Sequence, residues 1–453
     1  MRIRAEQALL DDGWARDVLV TVTSDGRIGT IEAARDATAD VTVPVLLPAQ
    51  SNLHSHTFQR AMAGLTEKRG PQGRDSFWTW RVLMYRFLDV LKPDEIEAIA
   101  AFAFMEMLEA GFGAVAEFHY LHHAPDGSPY DDLGELSSRI AAAATQAGIG
   151  LTLLPVHYRT GGLDGRPLAD GQKRFGNDLD RFLALVERAK AILAPLAADT
   201  RLGLAPHSLR AAPAEDIKIL AGVLPSGPFH LHAAEQEAEI DEVLAATGRR
   251  SIEWLFANFD VDERWCLIHA THMTEEETEA FARSGAVAGL CPVTEANLGD
   301  GIFEGVAFME AGGAFGIGSD SNIRISAAEE LRQLEYSQRL KHRGRAMLAE
   351  PAGSVGRRLY DGALAGGARA LGRESGAIRK GAFADLVALD PLRFAGSGND
   401  DGLLDGWIFT GDRGAVTDVW SAGRHVVQEG RHVDAETLTR RYRTVLTNVM
   451  ARL

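Results

Sequence analysis

The sequence predicts a parallel (β/α)₈ barrel, as in TIM barrels, accompanied by a small β-sandwich domain. Between about residue 43 and residue 320, eight short apolar segments rich in β-forming residues alternate with longer segments of helical period. Outside this region, residues 1–46 and 376–433 carry short alternating strands with glycine-containing turns and little helical pattern. Because strands that alternate with helices pair in parallel, eight such units are expected to close into a barrel.

The individual elements follow from this alternation. The predicted strands, in chain order, are VPVLLP, AVAEF, GLTLLPV, RLGLAP, FHLHA, WCLIHA, AVAGLCP and AFGIGS. The clearest helical segments are PDEIEAIAAFAFMEMLEAG, LDRFLALVERAKAIL and TEEETEAFARSG, and the acidic start of the last one suits a helix N-terminus. We expect the barrel over residues 47–375, the small domain over residues 1–46 and 376–433, and a terminal helix over residues 434–453. Residues 159–176 have the composition of a long loop, either a lid or a solvated connection.

Composition and charge exclude several classes of protein. The net charge of −16 over 453 residues argues against nucleic acid and against an anionic membrane as partners. No signal pattern or apolar stretch of about 18 residues occurs, so a cytoplasmic protein is expected. The two cysteines provide neither a disulfide framework nor a cysteine-rich zinc motif. Any metal must therefore be held by His, Asp or Glu.

Polar side chains fall at the ends of seven of the eight predicted strands. In chain order these are His54 and His56; Glu117, His119 and Tyr120; His157 and Tyr158; His207 and Arg210; His232 and Glu235; His269; and Asp320. The carboxyl ends of barrel strands meet at one face, where barrel enzymes carry their active sites. Histidines that are scattered in the sequence are therefore expected to become neighbours.

Four of these residues form a candidate metal site. His54, His56 and His232 offer three neutral imidazoles and Asp320 offers a carboxylate, a set that suits one divalent transition ion such as zinc. An H-x-H pair alone is as well explained by a hydrogen-bonded strand end, so the prediction depends on the joint occurrence of all four. An ion there would lower the pKa of water toward neutrality. The chain is therefore predicted to be a hydrolase.

The pattern of motifs resembles the amidohydrolase superfamily. HSH follows the first strand, HAAE the fifth, HATH the sixth and GSDS the eighth, and these match the metal and proton-transfer positions of that superfamily. Binuclear members carry a bridging lysine at the end of strand four, where this chain has LAPHSL with His207. The resemblance therefore implies a single metal ion, and it also leads us to expect a homodimer.

Longer motifs resemble one branch of the superfamily, the formimidoylglutamate deiminases. They are NLHSHTFQRAMAGLTE, FWTWR.LMYRF, AEFHYLHH, APHSLRA, HLHAAEQ.AEI and CPVTEANLGDGIF. This resemblance implies hydrolysis of N-formimino-L-glutamate to N-formyl-L-glutamate and ammonia, a step of histidine degradation. Asp320 is then expected to accept a proton from the attacking water and His269 to steady the nucleophile. Glu235 is expected to carry protons to the departing nitrogen.

A substrate with two carboxylates requires fixed cations and hydrogen-bond donors. Arg81 and Arg210 are the candidates to bind the carboxylates, because a guanidinium matches their geometry. Tyr120, His207 and Gln59 are the further candidates for substrate binding. The alternative for the arginines is an ordinary surface ion pair. The alternative for Tyr120, His207 and Gln59 is that their side chains pack within loops.

Two other functions compete with this one. The nearer is a mononuclear deaminase of the same superfamily that acts on a nucleobase or a related amidine, for which aromatic stacking and few cations would be expected. The other is a barrel that serves as a catalytically silent scaffold and would be expected to lose metal ligands. The complete ligand set and the two arginines favour the formimino substrate.

Overall fold

The structure is a computed structural model of the 453-residue chain that describes residues 1–34, 37–68, 77–394 and 399–453, with only the backbone of residues 77 and 78. The strands are β1 (Arg2–Leu10), β2 (Gly13–Val22), β3 (Ile28–Ala33), β4 (Val41–Pro48), β5 (Gln50–Ser55), β6 (Phe112–His119), β7 (Gly150–His157), β8 (Arg201–Leu202), β9 (Ala205–Pro206), β10 (Phe229–Ala233), β11 (Trp265–His269), β12 (Val287–Leu290), β13 (Ala314–Ile317), β14 (Leu386–Leu389), β15 (Val416–Ser421), β16 (Arg424–Gln428) and β17 (Arg431–His432).

The helices all lie after β5 in the chain. They are α1 (Phe77–Val90), α2 (Pro93–Glu109), α3 (Glu135–Ala147), α4 (Leu179–Leu193), α5 (Ala214–Val223), α6 (Glu237–Thr247), α7 (Ser251–Asn258), α8 (Glu275–Ser284), α9 (Pro292–Leu298), α10 (Gly305–Glu310), α11 (Ala327–His342), α12 (Val355–Ala370), α13 (Asp401–Thr410) and α14 (Ala435–Met450). In the described parts of the chain, no helix is both long enough and apolar enough to cross a membrane.

Strands β5–β13 form the barrel. They pair in parallel in the order β10-β11-β12-β13-β5-β6-β7-β8, and β9 pairs with β7 beyond β8. The ring closes through single bridges between Leu204 and Phe229 and between Ser208 and His232. The fourth predicted strand is thus split into β8 and β9, and the predicted barrel is confirmed.

The remaining eight strands come from both ends of the chain, as predicted, and they form one separate sheet. Its order is β17-β16-β15-β14-β4-β1-β2-β3, and all neighbours are antiparallel except β1 and β4. Apolar side chains from both chain ends, such as Ile3, Val20, Leu386 and Trp420, make a core distinct from that of the barrel. The small domain therefore has its own hydrophobic interior.

The segment VPVLLP was predicted as the first barrel strand, and that prediction is wrong. It forms most of β4, which pairs with β1 and β14 in the small sheet, whereas the first barrel strand is β5. Both faces of β4 are covered, because Val45 and Leu47 pack in the barrel core and Val43 and Leu46 in the small core. A strand buried on both faces has the continuous apolar sequence that is typical of a barrel strand.

A second correction concerns residues 376–433, which were predicted to contain strands with little helical pattern. This segment also contains α13 (Asp401–Thr410). Its buried residues Leu403, Leu404, Trp407 and Ile408 lie on one helical face, but two glycines and the short length weaken the helical signal. Packing against the barrel helices α11 and α12 stabilises it.

Candidate active site

One cleft at the carboxyl ends of the barrel strands brings the predicted site residues together. Its volume, including the part that is open to solvent, is about 590 Å³. The predicted residues that line it are His56, Gln59, Arg81, Tyr120, His207, Arg210, His232, Glu235, His269 and Asp320. The exception is His54, whose side chain is wholly buried with its ring against Phe118.

Three histidines and one carboxylate converge at the cleft. Ligand atoms of His54, His56 and His232 lie within 4.8 Å of one another, and the Nε2 atoms of His54 and His232 are 3.1 Å apart. Asp320 Oδ1 lies 3.6 Å from His54 Nε2 and 3.4 Å from His56 Nε2. The ends of β5 and β10 and the residues after β13 supply these four groups, as the barrel topology predicts.

The other ring nitrogens of two histidines explain why their Nε2 atoms face the cluster. Nδ1 of His56 lies 3.0 Å from the carbonyl oxygen of Phe118, and Nδ1 of His232 lies 3.0 Å from that of His207. A carbonyl only accepts, so each Nδ1 carries the proton and each Nε2 presents a lone pair. Burial lowers the pKa of His56 to about 3 and lowers that of His232 well below its usual value. These neutral imidazoles fit a divalent metal ion.

Two more titratable groups lie beside the histidine cluster. Nε2 of His269 is 3.9 Å from Glu235 Oε1 and 3.9 Å from Asp320 Oδ2. Burial opposes the charging of His269, but Glu235, Glu295 and Asp320 outweigh it and raise its pKa to about 10. Burial raises the pKa of Asp320 to about 7, although His269 opposes this. The three groups predicted to move protons are thus adjacent.

The backbone is constrained where these side chains leave the barrel strands. Ala234, His269 and Asp320 have positive φ angles of 52°, 69° and 43°. Non-glycine residues seldom adopt this conformation, which costs about 1 to 3 kcal/mol and is concentrated at functional sites. The surrounding hydrogen bonds hold it, since Asp320 N donates to His54 O and His56 N donates to Asp320 O, both at 2.9 Å.

Glu117 was noted at a strand end without an assigned role, and the structure shows what it contacts. Its Oε1 accepts hydrogen bonds from the backbone N–H of Thr57 at 2.8 Å and from the Thr57 hydroxyl at 2.6 Å. Burial raises the pKa of Glu117 to about 7. This carboxyl therefore braces the turn that follows His56.

The two predicted arginines also line the cleft. Arg81 lies on α1 and donates from Nη2 to the hydroxyl of Tyr158 at 3.1 Å. Arg210 lies beyond β9 in a segment held by the Thr160 hydroxyl, which donates to the Arg210 carbonyl at 3.0 Å. Burial, assisted by the positive charges of Arg210 and Arg81, holds the pKa of His207 well below its usual value.

The remaining predicted residues also line the cleft. Gln59 Nε2 donates to the Tyr120 hydroxyl at 3.0 Å, so these two side chains form one hydrogen-bonded unit on the wall. The His207 ring lies 4.8 Å from the ring of His232, next to the metal cluster. The structure therefore places all five predicted substrate-binding residues in the cleft, and their roles stay a prediction.

Several lining residues had no predicted role in the site. They are Trp80, Met84, Tyr85, Tyr158, Phe175, Leu298 and Ser321. The spacing of Trp80 with Met84, and of Arg81 with Tyr85, is a helical i, i+4 signal that could have marked one face of α1 as a wall. Aromatic and apolar residues at that spacing most often pack in a core, so the signal is weak.

The segment 159–176 reaches the cleft through its second half. Gln172 Nε2 donates to the Tyr158 hydroxyl at 2.7 Å, and Phe175 lines the cleft. Arg174, which is 2% exposed, donates from Nε to the carbonyl of His123 at 2.9 Å. This half is therefore packed rather than solvated.

Known proteins resemble this chain along almost its whole length. The family model described as amidohydrolase family matches residues 45–426, and that described as formimidoylglutamate deiminase HutF, N-terminal domain, matches residues 1–41. A formimidoylglutamate deiminase from Pseudomonas aeruginosa is 50% identical, over 99% of each chain. The chain belongs to the formimidoylglutamate deiminase family.

The solved structures agree with membership of the amidohydrolase family. The crystal structure of an amidohydrolase from Brucella melitensis is 49% identical, covers 99% of each chain and superposes with a TM-score of 0.94. A zinc-bound adenosine deaminase from Xanthomonas campestris, at 22% identity, covers 99% of this chain and 98% of its own with a TM-score of 0.82, which shows the shared fold. The chain is therefore a hydrolase of the amidohydrolase family.

Proposed function

We propose that this chain hydrolyses N-formimino-L-glutamate to N-formyl-L-glutamate and ammonia, with one zinc ion held by His54, His56, His232 and Asp320. The observation that carries the proposal is that carboxylates and guanidinium groups line the same cleft. The Asp320 and Glu235 carboxylates suit the cationic formimino group. The Arg81 and Arg210 guanidinium groups suit the two carboxylates of the substrate.

The proposed roles follow from the chemistry of each side chain. When bound, the metal supplies a Lewis acid that lets water act as a nucleophile near neutral pH. Asp320 takes a proton from the attacking water, and His269 directs Nε2 at the oxygen that adds to the formimino carbon. Glu235 transfers a proton to the terminal nitrogen, so that the carbon–nitrogen bond breaks and ammonia leaves.

The proposal includes three features with separate support. Zinc is supported by the His and Asp donor set, and by the zinc in the solved adenosine deaminase of the same fold. The proposed step belongs to histidine degradation. A cytoplasmic location and a homodimer stay predictions from the sequence.

Ammonia release is the experiment that tests the substrate. We expect the purified zinc-loaded protein to release ammonia from N-formimino-L-glutamate and to leave guanine, cytosine and adenosine unchanged. These nucleobase compounds represent the alternative class, to which the 8-oxoguanine deaminase of Pseudomonas aeruginosa belongs by name; it is 27% identical over 95% of this chain and 94% of its own. Faster turnover of any of them would replace the formimino assignment by that alternative.

Replacement of Arg210 tests whether this arginine binds a substrate carboxylate. If Arg210 pairs with a substrate carboxylate inside the cleft, Arg210→Met should cost roughly 2 to 5 kcal/mol in transition-state stabilisation, measured as kcat/KM. Part of the loss should fall on kcat, because binding energy from a remote carboxylate holds the formimino carbon in place. The metal content should not change.

Two truncated substrates make this test specific. N-formimino-γ-aminobutyrate lacks the α-carboxylate, and N-formimino-2-aminobutyrate lacks the side-chain carboxylate. The loss in kcat/KM that each variant causes should disappear on the compound that lacks the carboxylate bound by the replaced arginine. Comparison of Arg210→Met with Arg81→Met therefore assigns one carboxylate to each arginine. The exposed Arg283→Met is the matched control. Equal losses on all three substrates would mean that the arginine is structural.

A further inference from the structure

Glu295 is a buried carboxylate beside the proposed catalytic groups that the mechanism above does not use. It lies on α9, after β12, and is 5% exposed. Its Oε1 lies 3.2 Å from His269 Nδ1 and accepts a hydrogen bond from the backbone N–H of Cys291 at 2.9 Å. The side chain therefore joins the start of α9 to the end of β11.

The contact with His269 determines which way that ring faces. A carboxylate accepts a hydrogen bond, so the proton of the pair is on Nδ1 of His269. With Nδ1 held by Glu295, the opposite nitrogen Nε2 must face Glu235 and Asp320, which are each 3.9 Å away. His269 is the last residue of β11, is paired with Ala233 and has a positive φ of 69°, a conformation that is concentrated at functional sites.

We propose that Glu295 is a positioning residue for the deimination reaction: it holds the His269 imidazole by Nδ1 so that Nε2 points at the oxygen that adds to the formimino carbon. The expected effect of Glu295 on catalysis rests on the proposed function. A carboxylate that orients a histidine in this way typically changes activity by about 10- to 100-fold when it is replaced.

Helix capping is the structural alternative, and the protein contains a matched control for it. Glu330 of α11 is 0% exposed and accepts a hydrogen bond from the N–H of Val293, in the first turn of α9, at 3.0 Å. It supports the same helix start as Glu295. Among the described residues, no hydrogen bond or ion pair joins Glu330 to His269. Glu330→Gln therefore tests capping without disturbing the histidine.

Metal binding is the second alternative. His269, Cys291 and Glu295 place ligand atoms within 4.8 Å of one another, all buried. The hydrogen bond between His269 and Glu295 occupies two of the three donors, which favours the positioning role. Metal analysis separates the two possibilities, because a second ion would appear in the parent protein and disappear in Glu295→Gln and Cys291→Ser.

Steady-state kinetics of zinc-loaded variants provide the main test. Glu295→Gln keeps the size of the side chain and removes its charge, and we expect kcat to fall about 10- to 100-fold with KM little changed. Glu330→Gln should stay within about twofold of the parent in both constants. In a His269→Asn background, Glu295→Gln should cause no further loss beyond about twofold, since Glu295 acts through that ring.

A spectroscopic readout checks the hydrogen bond without depending on turnover. The parent should show a downfield ¹H NMR signal from the Nδ1 proton of His269, identified by its absence in His269→Asn. That signal should shift or vanish in Glu295→Gln and persist in Glu330→Gln. The proposal would be overturned if the losses of Glu295→Gln and His269→Asn multiplied in the double variant. It would also be overturned if Glu295→Gln and Glu330→Gln had equal effects, or if the parent protein bound a second zinc ion. If the parent fails to use N-formimino-L-glutamate while the signal behaves as expected, the substrate assignment fails and the contact stands.

Discussion

Alanine at His54, His56, His232 or Asp320 should leave the purified protein with far less than one equivalent of zinc and with turnover at background. Each ligand would supply one of four protein donors, and the three that remain seldom hold both the ion and its geometry. The two measurements are elemental analysis of metal per chain and ammonia release from N-formimino-L-glutamate. The effect should be the largest of any single substitution, because the Lewis acid itself is lost.

His272→Ala is the matched control for these variants. His272 is a partly buried histidine only three residues beyond His269, and its Nε2 lies 2.8 Å from the carbonyl of Asp300 rather than in the cluster. It should retain metal and most of the activity. Circular dichroism of all five proteins separates loss of the ion from loss of the fold. Full metal and full rate in any two of the ligand variants would place the metal site elsewhere.

Glu235→Gln should retain zinc and lose turnover by about 10²- to 10⁴-fold, the range for removal of a general acid–base group. Glutamine has nearly the same shape but cannot carry the proton that the departing nitrogen needs. The loss should appear in kcat, with a smaller change in KM, because the side chain is proposed to act on the reacting atoms. Stopped-time assays at saturating substrate measure it directly.

The control for this variant lies two residues away. Glu237 is exposed in the first turn of α6, so Glu237→Gln makes the same chemical change outside the cleft. It should leave kcat and metal content unchanged. A near-normal rate for Glu235→Gln with the ion in place would transfer the proton-transfer role to another group.

Strand periodicity and barrel geometry were enough to predict the convergence of His54, His56, His232, His269 and Asp320. Each follows a short apolar segment, and parallel strands of a barrel present their carboxyl ends at one face whatever their separation in the chain. The residue types then indicate the chemistry, since imidazoles and carboxylates are zinc ligands and proton carriers. These inferences need only local patterns and one rule of topology.

Only the tertiary structure decided which sheet β4 joins and which groups hold the site residues in place. Val45 and Leu47 enter one core and Val43 and Leu46 another, which an apolar run cannot reveal. The contact of Glu295 with His269 joins residues that are 26 positions apart. That partner, and the carbonyls that orient His56 and His232, depend on side-chain rotamers and on packing between distant segments. A local sequence pattern carries no information about either, so these details required the folded chain.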